Sequence, residues 1–248
     1  MDCNMPKYLF KYKAVSTVED LVRLIDIIKE HRIYFPSIKQ LNDPQEGTLF
    51  NVQISRACGF FITEAHDDDY YPVREAKEKF NVLSLSSSET SPQLWAHYGD
   101  NYRGVCLAFA TTGVFSAAKK VTYYRSKQTE DLSELPDQRS AIEEAVYKNL
   151  FLKERGWSYE KEWRIVYNSW TPHFYFSEDD LACIILGENM DDVIKGIIKQ
   201  IAGDIPVLRL RSGMQSGKNF MLPYDFEDIL NGVPLPKIFS VEKWLAKR

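Results

Sequence analysis

The sequence predicts an α+β fold in which a single domain, residues 1–248, combines mixed and antiparallel β-sheets with flanking helices. Short segments typical of strands outnumber the segments with helical periodicity. The predicted helices do not alternate strictly with the strands, which favours an α+β fold over a doubly wound parallel one. No repeat, low-complexity tract or shift in composition marks a domain boundary.

Composition and charge narrow the class of protein. Hydrophobic residues make up 44% and charged residues 27% of the chain, which is typical of a globular protein with a sizeable core. The net charge of -4 without a long basic run argues against a broad duplex-DNA footprint and leaves a local nucleic-acid groove open. The 4 cysteines form no CxxC pair, so we expect free thiols in the cytoplasm. We expect neither a secretory signal nor a membrane span.

The first 50 residues are predicted to form a strand, a helix and a second strand. Residues 8–15 alternate lysines with aromatic and apolar side chains, as a half-buried strand does. Residues 16–19 have capping-box spacing, and apolar residues at helical spacing follow as far as about His31. Residues 33–35 form the next predicted strand, and Asn42-Asp43-Pro44 predicts a turn.

The middle of the chain is predicted to carry a charged surface helix over 70–80 and a strand over 81–86. Ser91-Pro92 predicts the start of a short helix that Gly99 closes, because serine caps helices and proline suits their first position. A buried strand follows over 104–109. The remaining predictions are strands over 120–124, 160–167, 183–186, 207–210 and 220–222, a polar loop over 126–138, and helices over 140–155 and 191–201.

Glu160, Glu162 and Arg164 are predicted to share one face of the strand over 160–167, with Trp163 on the other face. Two adjacent carboxylates tend to divide labour, one binding a substrate hydroxyl and the other acting as base or electrostatic stabiliser. The alternative is a solvent-facing stripe with a weak ion pair to Arg164, worth at most ~1 kcal/mol. Pattern alone favours the stripe, since charged stripes are common on half-buried strands.

Two further groups of polar residues are candidates for a binding site. Ser84 and Ser86 share a face at the end of their predicted strand, where their hydroxyls would bind a ligand or satisfy the following turn. The segment from Trp95 to Arg103 crowds aromatic, imidazole, amide and guanidinium groups at a helix end. That density indicates either a pocket or an elaborate turn.

Three other motifs are set aside. Cys106 and His97 do not form a nucleophile and base, because Cys106 lies in an apolar run that predicts burial. The 4 histidines lack the spacing of zinc ligands. Residues 213–219 resemble a phosphate loop but are one residue short between the glycines, and Asn219 stands where Ser or Thr would bind magnesium. A hairpin loop is the better interpretation.

Six segments follow one another along nearly the whole chain, at residues 8–12, 41–46, 83–86, 94–101, 103–107 and 159–164. In these segments the chain resembles the bacterial domain-of-unknown-function family numbered 2971. The layout is also similar to that of ADP-ribosyltransferases, which place a basic or histidine residue on a first strand, a Ser-x-Ser motif on a second and a Glu-x-Glu motif on a third. The first motif departs from this pattern, since residues 8–15 contain neither Arg nor His and offer Lys11, Tyr12 or Lys13 instead.

This similarity implies an NAD-dependent ADP-ribosyltransferase that modifies a protein or nucleic acid, an activity suited to a toxin or phage-defence effector with a cognate inhibitor. Glu162 would stabilise the positive charge that develops on the ribose as nicotinamide leaves, and Glu160 would orient or deprotonate the acceptor. The implied NAD contacts are Lys11, Tyr12, Ser84, Ser86, Trp95, His97, Tyr98 and Arg103, and the implied acceptor contacts are Asn42, Asp43 and Arg164.

Two other classes stay open. A non-catalytic module would use the segment from Trp95 to Arg103 to bind a nucleotide or a partner peptide. A nuclease or other hydrolase would place magnesium among Glu160, Glu162 and Asp43, because this ion prefers oxygen ligands.

Overall fold

The computed structural model describes residues 5–43, 71–126, 138–169, 171–212, 219–223 and 237–247, and it has an α+β fold built on a mixed sheet. The strands are β1 Tyr8–Lys13, β2 Arg32–Tyr34, β3 Phe80–Ser86, β4 Val105–Ala110, β5 Lys119–Lys120, β6 Thr122–Tyr124, β7 Leu152–Glu154, β8 Glu162–Asn168, β9 His173–Tyr175, β10 Leu181–Leu186, β11 Val207–Ser212 and β12 Asn219–Pro223. The helices are α1 Val18–Lys29, α2 Tyr71–Glu78, α3 Pro92–His97, α4 Gln138–Asn149, α5 Asp192–Ala202 and α6 Val241–Leu245.

The central sheet has 8 strands in the order β12-β11-β10-β4-β1-β3-β8-β5. Neighbouring strands run antiparallel except for β10 and β11, which run parallel. β1 pairs with β4 along its whole length, whereas Phe10 and Ser86 are the one pair in register between β1 and β3. The sheet therefore has a seam between β1 and β3, where the two strands separate beyond this pair.

Both faces of the sheet are covered. On one face, apolar residues such as Leu9, Leu85 and Leu107 pack against α1 and α5. The opposite face carries two separate apolar clusters. One cluster joins Phe10 of β1 to α3 and α6, and the other joins Phe80 and Val82 of β3 to α2 and α4. Between these two clusters the same face of β3 and β8 carries polar and charged side chains.

The caps of two helices agree with local sequence chemistry. The capping box of α1 is formed by Thr17 and Asp20, one residue beyond the predicted positions, because the Thr17 hydroxyl accepts from the Asp20 amide and the Asp20 carboxylate accepts from the Thr17 amide. Ser91 caps α3 and Pro92 is its first residue, as predicted. None of the described helices is long and apolar enough to cross a membrane.

Three predicted elements differ in the structure. The helix predicted over 140–155 ends at Asn149, and residues 152–154 form the strand β7, which pairs with β6. The strand predicted over 120–124 is divided into β5 and β6. The strand predicted from residue 160 begins only at Glu162, because residues 155–160 form a 3-10 turn and Lys161 adopts a left-handed conformation with φ of 47°. Glu160 is thus the last residue of a turn, and strand alternation does not place it beside Glu162.

Two other predictions concern segments at the edge of the described residues. β11 and β12 pair antiparallel, which agrees with a hairpin, while residues 213–218 between them lie outside the described residues. Pro44 of the predicted turn, Cys3, Cys58 and His66 also lie outside them. Cys106 and Cys183 are buried free thiols.

Candidate functional site in the seam of the sheet

The candidate site begins with the pairing of β3 and β8. Ser84 lies opposite Arg164 and Ser86 lies opposite Glu162, and directly opposed residues of antiparallel strands point to the same face. Trp163 packs in the core on the other face. Glu162 and Arg164 therefore share a face, as the sequence predicted, and both serines share it with them.

Four charged side chains form one network on this face. The Lys153 ammonium lies 2.6 Å from a Glu160 oxygen and 3.0 Å from Glu162 Oε2. Arg164 donates to both oxygens of Glu162, from Nε at 2.7 Å and from Nη2 at 3.0 Å. The Arg164 Nη1 donates to the carbonyl of Leu150 at 2.6 Å. Two cations and two carboxylates thus balance each other, with Lys153 between the carboxylates.

The network is buried, so the interpretation of the glutamates as a solvent-facing stripe is wrong. Glu160 is 5% exposed, Glu162 is 3% exposed and Arg164 is fully buried. Burial alone would raise the pKa of Glu162, but the charge and hydrogen bonds of Arg164 and the charge of Lys153 outweigh it and lower this pKa to about 2. Glu162 is therefore ionised at neutral pH.

The structure fixes Glu160 through its backbone and its side chain. The Ser86 hydroxyl donates to the Glu160 carbonyl at 2.7 Å, and the Tyr98 hydroxyl donates to Glu160 Oε1 at 2.7 Å. Burial, together with the bond to Glu160, raises the pKa of Tyr98, which keeps this phenol protonated as a donor. Ser86 belongs to β3, Tyr98 follows α3 and Lys153 belongs to β7, so three separate elements hold Glu160.

A pocket of about 210 Å³ opens beside this network at the seam between β1 and β3. Its lining residues are Phe10, Lys11, Tyr12, Pro36, Gln40, Leu41, Asn42, Ser84, Leu85, Ser86, Leu94, Tyr98, Lys153, Glu160 and Glu162. The Lys11 ammonium donates to the Ser84 carbonyl at 3.0 Å across the seam. Burial, with a smaller contribution from the charge of Lys13, lowers the pKa of Lys11 to about 8.

The structure brings together eight of the residues that the sequence singled out. These are Lys11, Tyr12, Asn42, Ser84, Ser86, Tyr98, Glu160 and Glu162. Arg164 lies behind Glu162 and does not line the pocket, and the buried Asp43 is not among the lining residues.

Three other candidates, Trp95, His97 and Arg103, are not among the residues that line the pocket. Trp95 is fully buried, donates from Nε1 to the Glu89 carbonyl and stacks on Tyr102, so it belongs to the core. His97 is exposed on the surface. Arg103 is exposed and pairs with Asp100, which lies at the turn after α3. The segment from Trp95 to Arg103 is therefore mainly an elaborate turn, and Tyr98 is its residue in the pocket.

Lys153 is the central residue that sequence reasoning missed. It follows the apolar residues 150–152, which were predicted to continue a helix, and no motif distinguishes it from a surface lysine. Its ammonium occupies the space between the two carboxylates where the magnesium alternative would place an ion. Among the described residues, no group of three or more His, Cys, Asp or Glu side chains is arranged to hold a metal ion.

Comparison with known proteins adds one finding. No curated protein and no solved structure matches the chain. Residues 94–165 match the family model described as "Protein of unknown function (DUF2971)". The matched part runs from α3 to β8 and contains Tyr98, Lys153, Glu160, Glu162 and Arg164. The similarity to this family is thus found in less than half of the chain.

Proposed function

We propose that the pocket at the seam binds NAD and that the protein transfers ADP-ribose from it to a protein or nucleic acid. The observation that carries this proposal is the pair of buried carboxylates, Glu160 and Glu162, that Lys153 holds at the wall of a pocket lined also by Ser84 and Ser86. The chain is similar to ADP-ribosyltransferases in the serine pair of β3 and in the glutamate pair, of which Glu162 begins the adjacent strand β8 and Glu160 ends the turn before it.

The proposed reaction gives each carboxylate one role. The bond between the nicotinamide nitrogen and the ribose carbon breaks, and its electron pair neutralises the ring nitrogen. Positive charge develops on the ribose, and the Glu162 carboxylate stabilises it. An acceptor oxygen or nitrogen then bonds to the ribose carbon, and its proton passes to Glu160.

The contacts around Glu162 suit this role. A group that stabilises developing positive charge must be ionised and already in place, since reorganisation would cost part of the gain. Arg164 holds both oxygens of Glu162, and the low pKa of Glu162 keeps it charged. Arg164 thus acts as a positioning residue behind Glu162.

The size of the pocket suits only part of the substrate. Its volume of about 210 Å³ is below the several hundred Å³ of a pocket that encloses a whole drug-sized ligand. It is therefore sized for the nicotinamide and its ribose. The rings of Tyr12 and Tyr98 line it and offer aromatic surface to the nicotinamide.

The test is incubation of the purified protein with adenine-labelled NAD, cell lysate and total RNA. We expect label on a macromolecule with the wild type and none with Glu162→Gln. Glu162→Gln leaves two cations, Lys153 and Arg164, with one carboxylate. The double variant Glu162→Gln/Lys153→Met restores the charge balance and is therefore measured as well. The exposed Glu178→Gln variant serves as the matched control and should transfer label at the wild-type rate. Full transfer by a folded double variant would overturn the assignment of Glu162.

A second candidate function is a non-catalytic module that binds a nucleotide or peptide in the same pocket. The charge balance of the network favours it, because a fully paired set of charges also makes a rigid wall for binding. In that case the wild type and the double variant would bind NAD with equal affinity, and neither would release nicotinamide.

A further inference from the structure

A second pocket, of about 470 Å³, adjoins the first and is lined mainly by residues of β1, α1 and β2. Its described lining residues are Lys11, Lys13, Arg23, Asp26, Ile27, Arg32, Ile33, Tyr34, Pro36, Gln40 and His173. It shares Lys11, Pro36 and Gln40 with the first pocket and contains neither glutamate of the charged network.

Positive charge dominates this second pocket. Its described lining holds the cations Lys11, Lys13, Arg23 and Arg32 against the single carboxylate Asp26. Asp26 already accepts from Arg32 at 2.6 Å. The chain as a whole has a net charge of -4, so this concentration of cations is local.

The cations are poorly compensated within the described residues. Burial and the charge of Arg23 lower the pKa of Lys13, although Asp20 opposes this shift. The Arg32 Nε is buried and has no hydrogen-bond partner among the described atoms. Like charges gathered in a pocket destabilise one another. An anion that entered the pocket would relieve this repulsion.

We propose that the second pocket binds a phosphate or diphosphate group. Guanidinium groups donate in a planar fork that fits phosphate oxygens, and ammonium groups add compact charge. The group has two possible sources, which are free inorganic diphosphate and the phosphates of a nucleotide that reaches the first pocket past Lys11. The inference stands apart from the proposed transferase activity, because it uses neither Glu160 nor Glu162.

The test is isothermal titration calorimetry of the full chain with sodium diphosphate and with ADP at constant ionic strength. We expect the wild type to bind both ligands. Loss of one charge-assisted contact should weaken binding about tenfold, so Lys13→Gln/Arg23→Gln should weaken it roughly a hundredfold. Lys29→Gln removes an exposed cation from the same helix as Arg23 and should bind like the wild type.

The outcomes separate this proposal from the proposed function. Absence of binding by the wild type, or unchanged affinity in the folded double variant, would overturn it. If the double variant fails to fold, the single variant Arg23→Gln tests the proposal, because Arg23 is exposed. This substitution should weaken diphosphate binding about tenfold. Calorimetry detects diphosphate binding without turnover, so the wild type should bind diphosphate even if it transfers no ADP-ribose. Tighter binding of ADP than of diphosphate would identify a nucleotide as the source, and equal binding would identify the free anion.

Discussion

Lys153 is the residue on which the charged network depends. Without its ammonium, Glu160 and Glu162 would keep Arg164 as the one remaining cation of the four-residue network, in a region that is almost fully buried. We expect Lys153→Met to lower the free energy of unfolding by about 3 to 5 kcal/mol, because it leaves a buried charge without a partner. Urea denaturation monitored by circular dichroism measures this change.

The matched control for this prediction is Lys148→Met. Lys148 lies at the exposed surface of α4, where it pairs with the exposed Glu144, so its loss should cost less than about 1 kcal/mol. Adding Glu162→Gln to Lys153→Met should recover part of the lost stability. Equal effects of Lys153→Met and Lys148→Met would show that the network contributes little.

The lowered pKa of Lys11 leads to a prediction about how stability depends on pH. Its pKa is about 8 in the folded protein and near 10.5 in the unfolded chain, so the folded state binds fewer protons between these values. The contribution of Lys11 to stability therefore rises as pH increases from about 8 to about 10.5. The charged groups that act on Lys11 are Lys13, Glu162, Glu160 and Lys153.

Comparison of the wild type with Lys11→Met tests whether the contribution of Lys11 to stability rises with pH. The free energy of unfolding of the wild type, relative to the variant, should be higher at pH 10 than at pH 7. Both proteins carry the other titrating groups, so their contributions largely cancel in the difference. A difference that stays constant or falls with pH would contradict the lowered pKa.

Sequence could predict that Glu162 and Arg164 share a face, because strand alternation follows directly from the backbone. It could not predict their burial. A charged face looks the same in sequence whether it meets solvent or a pocket, and here residues distant along the chain, such as Leu41, Tyr98 and Lys153, lie around it. The sequence did not indicate the role of Lys153 in the charged network either, because it does not show which distant residues meet.

At the scale of elements, sequence periodicity located most of the described strands and helices, since their apolar patterns are strong. It failed at the junction from α4 to β8. There the apolar residues 150–152 fit either a helix or a strand, and the 3-10 turn over 155–160 has no apolar period of its own. The prediction that Glu160 lies on the strand was wrong for the same reason.

Lys161 follows this turn, and its left-handed backbone conformation leads to a prediction about stability. Its φ of 47° is unfavourable for a residue with a side chain, and its side chain is exposed. We expect Lys161→Gly to change the free energy of unfolding by less than about 1 kcal/mol and in the stabilising direction, because glycine adopts this conformation without strain. Lys161→Val should destabilise the protein, since a β-branched residue tolerates this conformation least.

Thermal denaturation of the two variants and the wild type measures the order of stability. The expected order is glycine, lysine, valine from most to least stable. A valine variant as stable as the glycine variant would show that the left-handed conformation is not required at this position.

At the scale of the whole molecule, the seam should be visible in hydrogen exchange. β4 is paired on both sides, with β1 and with β10, whereas β3 meets β1 at one registered pair. Amides of β3 that point toward β1 should therefore exchange faster than those of β4. Residue-resolved exchange by nuclear magnetic resonance measures this difference, and uniform protection of the two strands would contradict the seam.

Lys11 lines both pockets, so the two ligands proposed for them would share one cation. An anion that pairs with the Lys11 ammonium from one pocket changes the charge that a ligand meets in the other. Thermodynamic linkage then requires the effect to be reciprocal, with each ligand changing the affinity of the other by the same factor. The shared Lys11 would thus couple the binding of the two proposed ligands.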